Sequence, residues 1–239
     1  MTDWGKLNHA YGTAEDVPEL LARMSPDGKN EVWSELWGRL CHQSTVFSAS
    51  FAALPALEEA AAGWSAAERI QPLVLAAGIV AACGAPEHYL AGLEPVIDSL
   101  RALGLESVVL PGRTPTEFIY LAQSVLALEG DRLWGRSLEG LVDREFSAAC
   151  PNCHARLSVG VAESRFFFAL GNWRNAGTEP RTWPVRPASE LAEVGRRLTA
   201  WALAAEQPEV AAQLPSLFGS GRCPSCDAEL SVPEALATP

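Results

Sequence analysis

A ten-residue stretch occurs twice, as Cys150–Val159 and Cys223–Val232, and the copies agree at seven of ten positions. Both keep a Cys-Pro-x-Cys knuckle, a following Ala, and then Leu-Ser-Val. Two such pairs supply the four soft ligands of a tetrahedral zinc ion, and the two-residue spacer turns the chain so that both sulfurs of a pair face one ion. Pro151 and Pro224 favour that turn by fixing φ. The residue after each knuckle, His154 or Asp227, is of a type that tolerates the left-handed backbone such knuckles need. Leu157 with Val159, and Leu230 with Val232, stand two residues apart, so each copy should run on as a strand with one apolar face. Cys150, Cys153, Cys223 and Cys226 are therefore the expected ligands of one structural Zn2+ per chain, in a four-cysteine ribbon split between two hairpins.

Two other uses of paired cysteines compete with this one. Disulfides need an oxidising compartment, and nothing at Met1–Ala10 has the basic-then-apolar pattern of a secretory signal. A redox Cys-x-x-Cys usually stands alone, whereas this one is duplicated. His154 adjoins a ligand, but four thiolates already fill the shell, so it reads as a turn residue. Catalytic zinc keeps an open position, and this set leaves none. Cys41 and Cys83 read as small buried hydrophobes.

The chain has 239 residues, 48% of them apolar and 20% charged, which is the balance of a globular protein able to bury a sizeable core. Its longest apolar run, the eleven residues Leu73–Cys83, is too short to span a bilayer. A cytoplasmic location with no membrane partner is the expectation. A net charge of −11 opposes general coating of nucleic acid. The charge is uneven, however: residues 144–197 hold eight Arg against five Glu, so any anionic partner should meet the ribbon side.

Residues 1–140 read as a domain of paired helices repeating about every forty residues. Val17-Pro18-Glu19-Leu20-Leu21 opens a helix that Ser25-Pro26-Asp27-Gly28 breaks. The next should run from about Asn30, with Trp33, Leu36, Trp37, Leu40 and Cys41 on one apolar stripe, before the polar turn His42-Gln43-Ser44-Thr45. A second pair is expected through Ser50–Leu57 and from Ser65. A third should begin at Pro86, break between Gly104 and Gly112, and resume at Thr114-Pro115-Thr116-Glu117, a capping-box pattern. Pro18, Pro55 and Pro95 are separated by 37 and 40 residues, near the start or middle of the first helix in each pair. With that recurrent proline, residues 14–130 resemble HEAT repeats, in which such a Pro bends the first helix of each pair. The arrangement as a whole, with Trp33 to Gln43 in the body and the split Cys pairs in the tail, is similar to bacterial HEAT-like proteins with a carboxy-terminal zinc ribbon. The resemblance implies a mainly α fold, a HEAT-like α-solenoid of antiparallel helix pairs, followed by a small α+β zinc-ribbon lobe at 141–239. It permits an immunity or regulatory role exerted through a concave face.

Between the knuckles lie 69 residues. Arg165–Leu170 reads as a buried strand, Asn175–Pro187 as a loop, Ala188–Gln207 as an amphipathic helix, and Pro208–Phe218 as a shorter one. Because both knuckles must meet at one ion, this insertion is a lobe built onto the ribbon.

The leading functional expectation is a non-catalytic binding protein that grips a protein partner in a helical-repeat groove. Trp33, Trp37, His42 and Gln43 are candidate contact residues, against a plainer reading in which both Trp fill the core and His42 caps a helix. His9, Tyr11 and His88 have no spacing that pairs them with a nucleophile or a carboxylate. The alternative is nucleic-acid binding through the arginine-rich lobe, with Arg165, Arg174, Trp173 and the Phe166–Phe168 run as an aromatic and basic surface. No phosphate loop, Gly-x-Ser-x-Gly or His-x-x-x-His is present, so an enzyme is expected only if its site is assembled from scattered residues.

Overall fold

The computed structural model describes residues 2–43, 45–82, 89–162, 165–173 and 181–238. Expectations resting on Cys83, His88 and Arg174 lie outside them. Among the described residues there are eleven α-helices and four small sheets. The chain divides into two compact units, one of residues 1–110 with 120–136 and one of 111–119 with 137–239. This differs from a single division at 140/141 chiefly in giving 111–119 to the second unit.

The first unit opens with the short hairpin β1 (Asn8–His9) and β2 (Gly12–Thr13), followed by helix α1 (Val17–Ala22), which has Pro18 in its first turn. Helix α2 (Glu31–Leu40) starts where expected because Asn30 caps it, its side chain accepting from Val32 N at 3.1 Å. Val32, Trp33, Leu36 and Leu40 form its buried stripe. Strands β3 (Cys41–His42) and β4 (Thr45–Val46) make a second hairpin, with Gln43 at φ 49° in its turn. Helix α3 (Ser48–Gly63) follows, entered through Ser50, whose Oγ accepts from Phe47 N at 2.8 Å and donates to Leu40 O.

Helix α4 (Ile70–Ala81) begins five residues later than expected from Ser65. Pro72 is the reason: it has no N–H to donate and its ring would clash one turn back, so it costs least in a first turn. Residues 65–69 instead form a turn closed by Ser65 N and Oγ donating to Glu68 Oε2 at 3.2 and 2.5 Å. Helix α5 (Glu94–Val108) runs through Gly104 without a break, and the expected start at Pro86 lies outside the described residues. A Cβ at Gly104 would lie 3.0 Å from the Val125 side chain, so glycine there permits close packing and does not end the helix. Helix α6 (Pro115–Leu128) has the expected capping box, with Thr114 N donating to Glu117 Oε2 at 2.8 Å and Glu117 N to Thr114 Oγ1 at 3.2 Å. Of the three spaced prolines, Pro18 and Pro95 sit in first turns and only Pro55 is inside a helix, at an exposed position.

After the short helices α7 (Trp134–Ser137) and α8 (Gly140–Asp143), the second unit is built on an antiparallel sheet of β5 (Glu145–Ala149), β6 (Arg156–Ala162), β7 (Arg165–Leu170) and β8 (Thr182–Pro184), in that order. One face is apolar, and Phe146, Val159, Phe168 and Trp183 form a row across it in register. Phe166 and Phe168 are buried there, as alternation requires. Phe167 points to the other face, above Gly160, and meets Trp173 edge-on at 5.2 Å. β8 occupies part of the segment expected to be loop. Helix α9 (Glu193–Ala204) starts five residues after Ala188, and α10 (Pro208–Leu217) packs against it. A second hairpin, β9 (Ser220–Arg222) with β10 (Glu229–Ser231), is followed by helix α11 (Val232–Ala237).

β9 is tied to the end of the four-stranded sheet by Arg186 and Ser220, which exchange backbone bonds of 2.7 and 3.0 Å. Gly219 makes this approach possible, because a Cβ there would fall onto the Arg186 carbonyl oxygen and 3.0 Å from Ser216 O. Gly219→Ala should therefore destabilise the protein by roughly 1–3 kcal/mol, read as a lower denaturation midpoint. Gly63→Ala, where a Cβ meets nothing within 4 Å, is the control and should be close to neutral or stabilising.

Candidate metal centre

The two knuckles are superposable in their bonding. In the β5–β6 hairpin, Cys150 N donates to Ala155 O at 3.0 Å and His154 N to Cys150 O at 2.9 Å; in the β9–β10 hairpin, Cys223 N donates to Ala228 O at 2.9 Å and Asp227 N to Cys223 O at 3.0 Å. His154 and Asp227 take φ of 56° and 61°, the left-handed turn anticipated for both. A non-glycine residue accepts that conformation at modest strain when its side chain is short and polar or is His.

These hairpins bring the four thiols together. All four sulfurs lie within 4.8 Å of one another, and two pairs that run across the hairpins, Cys150 to Cys226 and Cys153 to Cys223, are both 3.8 Å apart. A tetrahedral ion with metal–sulfur bonds of about 2.3 Å has sulfur–sulfur edges of about 3.8 Å. The cluster fits such an ion, and the distances are too long for disulfides, so all four are free thiols. Cys150 and Cys223 are buried, whereas Cys153 and Cys226 reach the surface. Burial pushes the Cys223 thiol up to about 12. The side-chain amide of Asn152, donating to Cys226 Sγ at 3.5 Å, and the backbone N–H of Ala228 hold Cys226 down to about 6. Ser225 N donates to Cys223 Sγ at 3.4 Å. Amides pointed at sulfur are what a thiolate cluster requires, since they stabilise its charge.

The repeat diverges only at its end. Leu157 and Val159 continue in β6, while Leu230 lies in β10, which ends at Ser231, and Val232 begins α11. Ser231 caps that helix, accepting from Glu234 N at 3.2 Å while Glu234 Oε2 accepts from Ser231 N at 2.9 Å. The Ser-x-x-Glu signal with Pro233 was legible but masked by the strand reading.

Among the other candidates, Trp33 is 2% exposed, donates from Nε1 to Ser25 O at 3.0 Å and meets Trp64 edge-on. It is a core residue and presents no surface. Trp37 is half-buried and lies against helix α4 at Gly78, where a Cβ would come within 2.9 Å of its ring. With Ile70, Gln71, Val74 and Tyr120 it lines a cavity of about 290 Å3. His42 is on β3, with Nδ1 3.3 Å from the Tyr11 hydroxyl, and Gln43 is in the adjoining turn. Arg165 is exposed at the start of β7.

His9 corrects the expectation that it pairs with no carboxylate. Its Nε2 is 3.0 Å from Asp16 Oδ1, its Nδ1 accepts from Tyr11 N at 2.9 Å, and Arg39 Nε donates to Asp16 Oδ2 at 2.6 Å. Against the opposing effect of partial burial, the hydrogen bond and charge of Arg39, then those of His9, hold the Asp16 carboxyl below its usual value. Both ring nitrogens of His9 are engaged, so the trio ties the first hairpin to α1 and α2. Only the fold, not the spacing, brings these three residues together.

The chain matches no known protein family, no curated protein and no solved structure. No helix among the described residues is long and apolar enough to cross a membrane.

The thiol cluster predicts one tightly held divalent ion per chain by elemental analysis. Cys150→Ser or Cys226→Ser should abolish it, and chelation should loosen the second unit while the helical signal of the first survives. Because each ligand binds as thiolate, metal and protons compete: binding should release protons, and apparent affinity should fall with falling pH from about 12, where Cys223 protonates, and more steeply below about 6, where Cys226 protonates too. A pH titration of metal occupancy checks the sign.

Proposed function

We propose that the chain is a non-catalytic binding protein of the bacterial cytoplasm. A HEAT-like helical array takes a protein partner in its groove, and one structural Zn2+ closes the carboxy-terminal lobe. The observation that carries this reading is the composition of the metal cluster. Among the described residues it is the one group of metal-ligating side chains, and its four thiols fill a tetrahedral shell with no position left for a substrate. Zinc is assigned because four thiolates at tetrahedral spacing suit an ion with no redox chemistry.

The partner site in this reading is the Trp37, Ile70, Val74 and Tyr120 cavity of the first unit, with His42, Gln43 and Tyr11 as polar neighbours on the adjoining hairpins. Half-buried Trp and Tyr are the side chains that most often dominate interface energetics. A net charge of −11 favours a basic partner, as an immunity or regulatory protein would meet in a basic toxin or effector. Nucleic-acid binding has less support. Phe166 and Phe168 are buried, and Arg181 and Arg197 lie over the rings of Trp183 and Trp201 at 5.1 and 4.8 Å.

Affinity capture from the native host at near-native concentration should recover a basic protein, and Trp37→Ala should weaken that complex by about tenfold or more. Recovery of no protein, or a complex indifferent to Trp37→Ala, would reject the groove. Oligonucleotide binding that falls steeply with salt would favour the arginine-rich lobe instead.

A further inference from the structure

The second unit has a groove that the metal cluster does not use. It has a volume of about 940 Å3 and runs along β5 and β6, with Arg156, Leu157 and Ser158 of β6 in its lining. Arg156 and Ser158 stand two residues apart along it, which separates them by about 6.8 Å. His154 lines the knuckle end, Ser147 lies directly across from Ser158 on β5, and Asp143 and Glu145 line the far end. Ser158 is 3% exposed, and its Oγ has no hydrogen-bond partner among the described residues. A buried hydroxyl left unpaired destabilises a fold and so calls for an explanation. The side chains of Arg156 and His154, both exposed, have no partner among the described residues.

We propose that this groove binds the carboxylate end of an extended peptide. Arg156 and His154 hold the terminal carboxylate, and the Ser158 hydroxyl bonds a backbone group two residues before it. The register supports this assignment. An extended chain repeats every two residues at about 6.6–6.8 Å, so a peptide lying along β6 with its carboxylate at Arg156 presents its next equivalent backbone group at Ser158. A guanidinium binds a planar carboxylate through two parallel donors. The carboxylates of Asp143 and Glu145 in the same groove disfavour a doubly charged phosphate, and the volume is far larger than a lone carboxylate needs. The site lies wholly in the second unit, so it stands or falls separately from the Trp37 groove.

The test is NMR titration of the metal-loaded full chain with N-acetyl-tetra-alanine, its carboxy-terminal amide, and inorganic phosphate. The acid should shift the amides of residues 147 and 154–158 saturably, and the amide form should bind at least about tenfold more weakly. Arg156→Ala should lower affinity for the acid by a similar factor. Ser158→Ala should lower it severalfold while leaving the Tm of the unliganded chain unchanged or raised, because it removes an unpaired group; a merely structural hydroxyl would show the reverse. Four outcomes each overturn the proposal: no saturable shift at millimolar peptide, equal binding of acid and amide, phosphate binding tighter than the acid, or Ser158→Ala lowering Tm with affinity intact. Metal content of each variant verifies that the hairpins are formed.

Discussion

Four thiols within 4.8 Å of one another are the constraint on which the second unit depends. Two belong to a hairpin at 145–162 and two to a hairpin at 220–231, so everything between must leave one knuckle and return to the other. Cross-linking a chain across some 70 residues removes about 4–5 kcal/mol of loop-closure entropy from the unfolded ensemble. For a small sheet with two helices that is a large share of total stability. The cluster is graded in depth: Cys150 and Cys223 are buried, and Cys153 and Cys226 face solvent.

What was legible in the sequence was what is decided locally. The knuckle turn, the positive φ at His154 and Asp227, the helix start near Asn30, the Thr114–Glu117 box and the alternation of Phe166, Phe167 and Phe168 each depend on a few adjacent residues, and each appears in the structure as read. Element starts were less legible. Pro72 moves α4 from Ser65 to Ile70, and Gly104 lies inside α5 because a neighbouring helix needs the space. The first is a local effect of one proline and the second a tertiary one, each expressed through a single residue.

The prolines illustrate the limit of spacing as a signal. Pro18, Pro55 and Pro95 are almost evenly spaced, yet two occupy first turns and one a helix interior, so equal intervals do not mean equal roles. The proline that most affects a boundary, Pro72, stands outside the series. The His9–Asp16–Arg39 trio was illegible for a different reason. Its members are 7 and 23 residues apart and share no motif. The Ser of the repeat shows how context redirects identical text: before Gly160 it stays in a strand with a hydroxyl unpaired among the described residues, and before Pro233-Glu234 it starts a helix.

The separation of the two knuckles also sets an order of biosynthesis. When Cys153 leaves the ribosome, the first hairpin has only two of its four sulfurs, and 73 more residues must follow before Cys226 completes the set. At about 5–20 residues per second that interval is on the order of 4–15 s. Until then the four sulfurs cannot all meet, so an ion that needs all four as ligands can seal this lobe only late and cannot be the nucleus from which it grows.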